Sequence, residues 1–174
     1  MNWTYLALLA LAPTLVGLSG CGSTPAEEST AQSDIDGTQF LLSAEPDGAM
    51  GVIAARESAA DGAPLVMVGR VGGSANPWID GRAAFMLLDA SMSVVAEGED
   101  SAEGELCTGD CCATERLACT TLVKVVDADG QVVPVDSRKL LGLKESDMVV
   151  VEGTAKKDKS GNFSMLANRV FIRK

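Results

Sequence analysis

The sequence predicts a mainly β fold: a small five-stranded barrel with a short helix between its third and fourth strands and a further helix near its start. Three observations carry that expectation. Short runs rich in Val, Leu, Met and Ile recur between residues 64 and 172, bounded by Gly, Pro, Asp or Asn, which is the pattern of strands and their turns. Among these runs only Ser137-Arg138-Lys139-Leu140-Leu141-Gly142-Leu143 looks like one or two turns of helix. The chain of 174 residues is 47% hydrophobic but only 4% aromatic, with 18 glycines, so it can build one aliphatic core of ordinary domain size.

The chain begins with an apolar run. From Tyr5 to Gly20 no side chain is charged, Leu6 to Leu11 is continuously apolar, and Pro13, Gly17 and Gly20 interrupt the remainder. A spanning helix needs about 20 unbroken apolar residues, so this shorter run ending in small residues reads as an export signal. Its end, Leu18-Ser19-Gly20-Cys21, resembles the lipobox of bacterial lipoproteins, although Met1-Asn2-Trp3-Thr4 lacks the Lys or Arg usual at the start. The resemblance implies cleavage before Cys21 and a thioether-linked diacylglycerol, often with an amide-linked third chain such as palmitate, on that residue. Two or three acyl chains anchor stably where one binds marginally. Gly22 stands where many inner-membrane lipoproteins carry Asp, which by the same resemblance implies the outer membrane. Residues 1–20 are therefore expected to be a lipoprotein signal peptide. Residues 21–38, small, polar and acidic with one Pro, are expected to be a disordered tether.

A single domain is expected over 39–174. Pro46 and the neighbouring acids suit the start of a helix over Ala49 to Ala60, ended by Asp61-Gly62. Leu65 to Val71 reads as a buried first strand, with Gly69 a candidate bulge or bend. Gly72 to Pro77 is loop chemistry, Ala83 to Asp89 a second strand, and Ser93 to Ala96 an extension or short partner. Residues 97–119, acidic and cysteine-rich without apolar period, read as a long surface loop. Thr120 to Val126 is the third strand, turned by Asp127-Ala128-Asp129-Gly130, with Val132, Val133 and Val135 a candidate return strand. Asp147 to Ala155 and Phe163 to Ile172 are the last two, joined by the hairpin turn Asp158-Lys159-Ser160-Gly161-Asn162.

Three strands, a helix and a closing two-strand hairpin resemble the OB-fold, a five-stranded Greek-key barrel. The resemblance covers 64–174 and rests on element order. A different small barrel or an open α+β sheet is the alternative.

The chain has no histidine, which excludes Ser-His-Asp and Cys-His catalysis and any His-ligated metal. A phosphate-binding Gly-x-x-x-x-Gly-Lys loop is absent, and Asp127-Ala128-Asp129-Gly130 lacks the later ligands of a calcium loop. No cofactor or metal is expected. The net charge is -10, which repels nucleic acid at long range, although residues 111–174 are weakly basic. Cys107, Cys111, Cys112 and Cys119 form an even cluster, and in an oxidising compartment such clusters pair as disulfides. Joining the neighbours Cys111 and Cys112 needs a strained ring; the other two pairings stay open. Metal or redox handling by the four thiols is the alternative, without the usual Cys-x-x-Cys knuckles.

Trp78 lies in Asn76-Pro77-Trp78-Ile79-Asp80-Gly81-Arg82, the loop between the first two strands. It suits either a cover for the open end of the core or, with Arg70 or Arg82, a stacking platform on a ligand face. With so few other aromatics, single-stranded nucleic acid would lack its stacking ladder. The expected function is that of an exported cell-envelope protein, held at the membrane through Cys21. Its domain is expected to be non-enzymatic, binding or scaffolding an envelope protein or small ligand.

Overall fold

The computed structural model describes residues 35–95, the strand 105–107 and residues 113–174. The described residues fall in one compact unit, Gln32–Lys174. The expected signal peptide, Cys21 and most of the tether lie outside the described residues, as do Cys111 and Cys112. Among the described residues no helix is long and apolar enough to cross a membrane.

The architecture is mainly β, a closed five-stranded mixed barrel with short helices. Its staves are β2 (Pro64–Val71), β3 (Ala84–Asp89), β6 (Thr120–Val125), β7 (Met148–Lys157) and β8 (Phe163–Ile172). They run in the order β2-β3-β6-β8-β7, and β7 pairs back on β2 through Pro64↔Thr154 to Arg70↔Met148, which closes the ring. The β6–β8 pair is parallel; the other four are antiparallel. This order is the one expected of an OB-like barrel. Period-two burial produces it: Leu65, Met67 and Val71 are buried along β2, while Val66, Val68 and Arg70 between them stay partly exposed. The inward set meets Phe85, Leu87, Val123, Val125, Val149, Val151, Met165 and Val170 in one core, each side chain worth ~1.5–3 kcal/mol when fully buried.

Both ends of the barrel are plugged. At one end sits α1 (Val52–Ser58), entered from the two-residue strand β1 (Met50–Gly51), which pairs parallel with β2. Val52 and Ala55 of α1 are part of the core. No side chain of its own N-cap residue, Gly51, satisfies the first turn. Asp89, at the end of β3, does so instead, accepting from the Ile53 amide at 2.9 Å. At the other end sits α3 (Ser137–Leu141), which lowers Leu140 and Leu141 into the core, followed by Leu143. Its caps are local: Asp136 accepts from the Arg138 amide at 2.9 Å, and Gly142 ends it at φ 70°. Gly is suited to that left-handed position because it has no Cβ.

Several sequence expectations are corrected. The N-terminal helix is shorter than 49–60, because β1 occupies Met50 and Gly51 and the cap comes from a residue far along the chain. Gly69 is no bulge: it pairs regularly with Asp89 and Val149, and a Cβ there would lie 2.5 Å from the Leu88 carbonyl oxygen. Its smallness serves close packing. The irregularity lies between β7 and β8, where Glu152 pairs with Arg169 and Gly153 with Ala167, leaving Asn168 as the extra residue. The proposed return strand reduces to a single bridge, Val126 with Val132.

The segment 97–119 is not all loop. It contains the short strand β5 (Glu105–Cys107), paired parallel with β4 (Ser93–Val95), and the helix α2 (Ala113–Cys119). Residues 35–38 also belong to the domain and not to the tether. Ile35 packs on the core, and Asp36 caps a turn of 3-10 helix over Gly37–Phe40 that buries Phe40.

Candidate functional site

The sequence singled out Arg70, Trp78 and Arg82, and the structure does not assemble them into one platform. Trp78 is partly buried against the core, bridges to Phe85 through the backbone, and lies 6.5 Å from that ring. It covers the α3 end of the barrel. The cation on its face is Arg138, 5.4 Å from the ring centroid. Arg70 instead donates to the Ser146 carbonyl at 3.3 Å, and Arg82 is exposed on the loop.

Arg138 is the residue that sequence reasoning missed at this end. Its Nε donates to Asp136 at 2.8 Å and its Nη2 to Asp80 at 2.9 Å. Arg138 thereby ties the loop after β2 to the start of α3. The guanidinium holds the Asp136 carboxyl below its ordinary value, against the smaller opposing effect of burial. The same pairing raises Arg138 further above its already high value. Two carboxylates and an aromatic face occupy this cation, so the cluster works as a clamp.

Cys119 ends α2 as a free, buried thiol whose Sγ donates to the Glu115 carbonyl at 3.2 Å. It packs with Leu88, Ile53 and Met92 in a small second cluster. Burial pushes the thiol pKa up, so it is a poor thiolate and behaves as a small apolar residue. Cys107 closes β5. Every pairing expected among Cys107, Cys111, Cys112 and Cys119 draws on Cys119, which is free here, and on Cys111 and Cys112, which lie outside the described residues.

Concavity lies elsewhere, on the outside of the barrel: one cleft of about 570 Å³ is walled by Leu41, Leu42, Ser43, Phe171, Ile172 and Lys174, and two smaller ones flank the bulge. An extra residue in one strand leaves that residue without a ladder partner and re-aims its side chain. Here Asn168 and Arg169 are both exposed in succession, between buried Ala167 and Val170. On one side of the bulge lies a cleft of about 390 Å³, with Gln39, Asp127, Thr154, Leu166 and Asn168 in its walls. On the other lies one of about 350 Å³ walled by Pro64, Val66, Glu152, Thr154 and Asn168. Thr154 and Asn168 stand in the walls of both, which makes the bulge the middle of a grooved face. Gly153 makes the close approach, since a Cβ on it would lie 2.0 Å from the Leu166 carbonyl oxygen.

The face carries both signs of charge: the carboxylates of Asp127 and Glu152 stand in the cleft walls, and Arg169, exposed beside Asn168, is the cross-strand partner of Glu152. One oxygen of Asp127 is engaged by the amides of Asp129 and Gln131, at 3.0 and 2.9 Å. Gln39 and Asn168 are exposed amides, each able to donate and accept. One signal for this site was present in the sequence: Asn168-Arg169 interrupts the alternation of an otherwise regular strand. No protein-family model and no curated protein matches the chain, so the chemistry of the groove is the guide to function.

Proposed function

We propose that this chain is an exported, lipid-anchored protein of the cell envelope, whose barrel is a non-enzymatic binding or scaffolding head. The observation that carries the binding reading is the groove centred on the bulged residue Asn168. The barrel interior is filled by its own side chains and plugged at both ends, so a ligand is met on the outside. Leu18-Ser19-Gly20-Cys21 supports the anchor at Cys21, with the outer membrane as destination.

Two measurements test the reading separately. Expressed in a bacterium that processes lipoproteins, the full chain is expected to incorporate labelled palmitate and to fractionate with the outer membrane. Cys21→Ser is expected to lose both, and an unlabelled wild-type chain would discard the anchor. A photoreactive residue at Asn168, irradiated in intact cells, is expected to give discrete adducts that the same residue at exposed Lys159 does not. Identical patterns from both positions would discard the groove as the binding surface.

A further inference from the structure

We propose that the grooved face around the bulge is a self-complementary contact, through which a second copy of this chain docks. The inference rests on the binding reading above and names the partner for the same surface.

Charge selects the partner. Glu152 and Arg169 stand side by side on β7 and β8 as cross-strand partners, on the outward side of strands whose Val151 and Val170 point into the core. Among the described residues neither side chain makes an ion pair, although Arg138, Lys156 and Arg173 all do. The face thus presents one carboxylate and one guanidinium, both unneutralised, at the same height. A ligand of either sign answers one of them and leaves the other to be desolvated without a partner; a neutral ligand leaves both. What answers both is a surface carrying the same two charges in the opposite order, and the chain itself presents it. A two-fold axis that runs between β7 and β8 and along them sets each residue opposite the cross-strand partner of its equivalent. Glu152 then faces the second copy's Arg169, and Arg169 its Glu152, the reciprocal pattern of an isologous interface. The same operation sets Thr154 opposite Leu166. Asn168, the extra residue of the bulge, is exposed and carries donor and acceptor on one amide, so it too can meet its own copy. Pro64 and Val66 flank the charges and supply apolar contact. A two-fold axis also relates the two chain starts at equal height, so an axis set along the membrane normal lets both anchors enter one bilayer. Anchoring keeps copies close, which supports a contact too small to hold in dilute solution.

The test uses the full lipidated chain in phosphatidylcholine vesicles, with a photoreactive residue in place of Asn168 and, as a control, in place of Lys159. Irradiation is expected to give a covalent product of twice the chain mass from the Asn168 position and not from the Lys159 position. Glu152→Arg and Arg169→Glu each set like charges face to face across the axis and are expected to lower that yield about tenfold or more. Mixed in one vesicle, the two variants are expected to restore it, because each then meets its opposite. The neutral Glu152→Gln and Arg169→Gln chains keep the size and lose the charge, and are expected to lower the yield less than the reversals. They stand in for a reversal whose urea midpoint falls. No dimer from the wild-type surface, a yield indifferent to all four substitutions, or a mixture of folded reversals that fails to recover overturns the assignment. If that happens while the Asn168 photoadducts in intact cells persist at other masses, only the partner falls; if those adducts are also missing, the binding reading falls with it.

Discussion

The two ends of the barrel are closed by different kinds of instruction. At the α3 end the plug is specified locally: Asp136 caps the helix it immediately precedes, Gly142 stops it, and Leu140, Leu141 and Leu143 face inward. At the α1 end the helix has a glycine at its N-cap, and its first turn is held by Asp89 from the far end of β3. Arg56 then secures the same helix, donating to the Thr120 carbonyl at 3.0 Å while its guanidinium lies 6.0 Å from the Phe163 ring centroid. The capping of α3 is complete within its own segment. The α1 plug is complete only after β3, β6 and β8 are in place.

The largest expected effect breaks the locally written end. Leu140→Ala removes a buried plug side chain and is expected to cost about 3 kcal/mol, read as a lower urea midpoint with unchanged slope. Next comes the long-range cap. Asp89→Ala leaves the Ile53 and Ser91 amides without their acceptor and is expected to cost about 2 kcal/mol. Faster amide exchange should be confined to α1 and its neighbours; equal acceleration in α3 would dissolve the distinction between the ends. The same residue makes the α1 end sensitive to acid. Burial raises the Asp89 pKa, but hydrogen bonds from Ser91 and the α1 amides outweigh it and the net direction is downward. A carboxylate with a lowered folded value stabilises fully above its unfolded value of about 3.9 and loses that contribution as pH falls through the folded value. Acid exchange experiments should therefore show α1 loosening in that range, and Asp89→Asn should abolish the dependence.

Smaller effects sharpen the comparison. Asp136→Ala is expected to cost about 1 kcal/mol, the usual worth of an N-cap. Raised salt should diminish only the part owed to Arg138, whose side chain is 45% exposed. Arg138→Gln keeps the cap and loses the charge over Trp78, with an expected cost of about 0.5 kcal/mol. A shift of Trp78 fluorescence with intact α1 exchange would mark the clamp as belonging to one end alone.

This division also explains what was legible in the chain. The five strands and the intervening helix follow from short apolar runs bounded by Gly, Pro, Asp or Asn and from local caps and turns, all of which reside in neighbouring residues. The limits of α1 did not, because its cap comes from Asp89. Nor did α2 and β5, whose segment shows no apolar period. For the site, Trp78 was identified as a cover or platform, but its cation partner was not, since Arg138 approaches only through the fold. The groove was written faintly, in two consecutive polar residues, Asn168 and Arg169, where a strand should alternate. Thr154 and Gln39 join it only once β7 and the 3-10 turn are in place.

Closure of the ring has one further consequence. Because β7 returns to β2 along seven residue pairs, the barrel offers little unpaired backbone to another chain. Exposed strand edges are where proteins held close together template one another into aggregates. For the anchored head proposed above, joining the hydrogen-bonding edges to each other leaves side chains and not backbone to meet its neighbours.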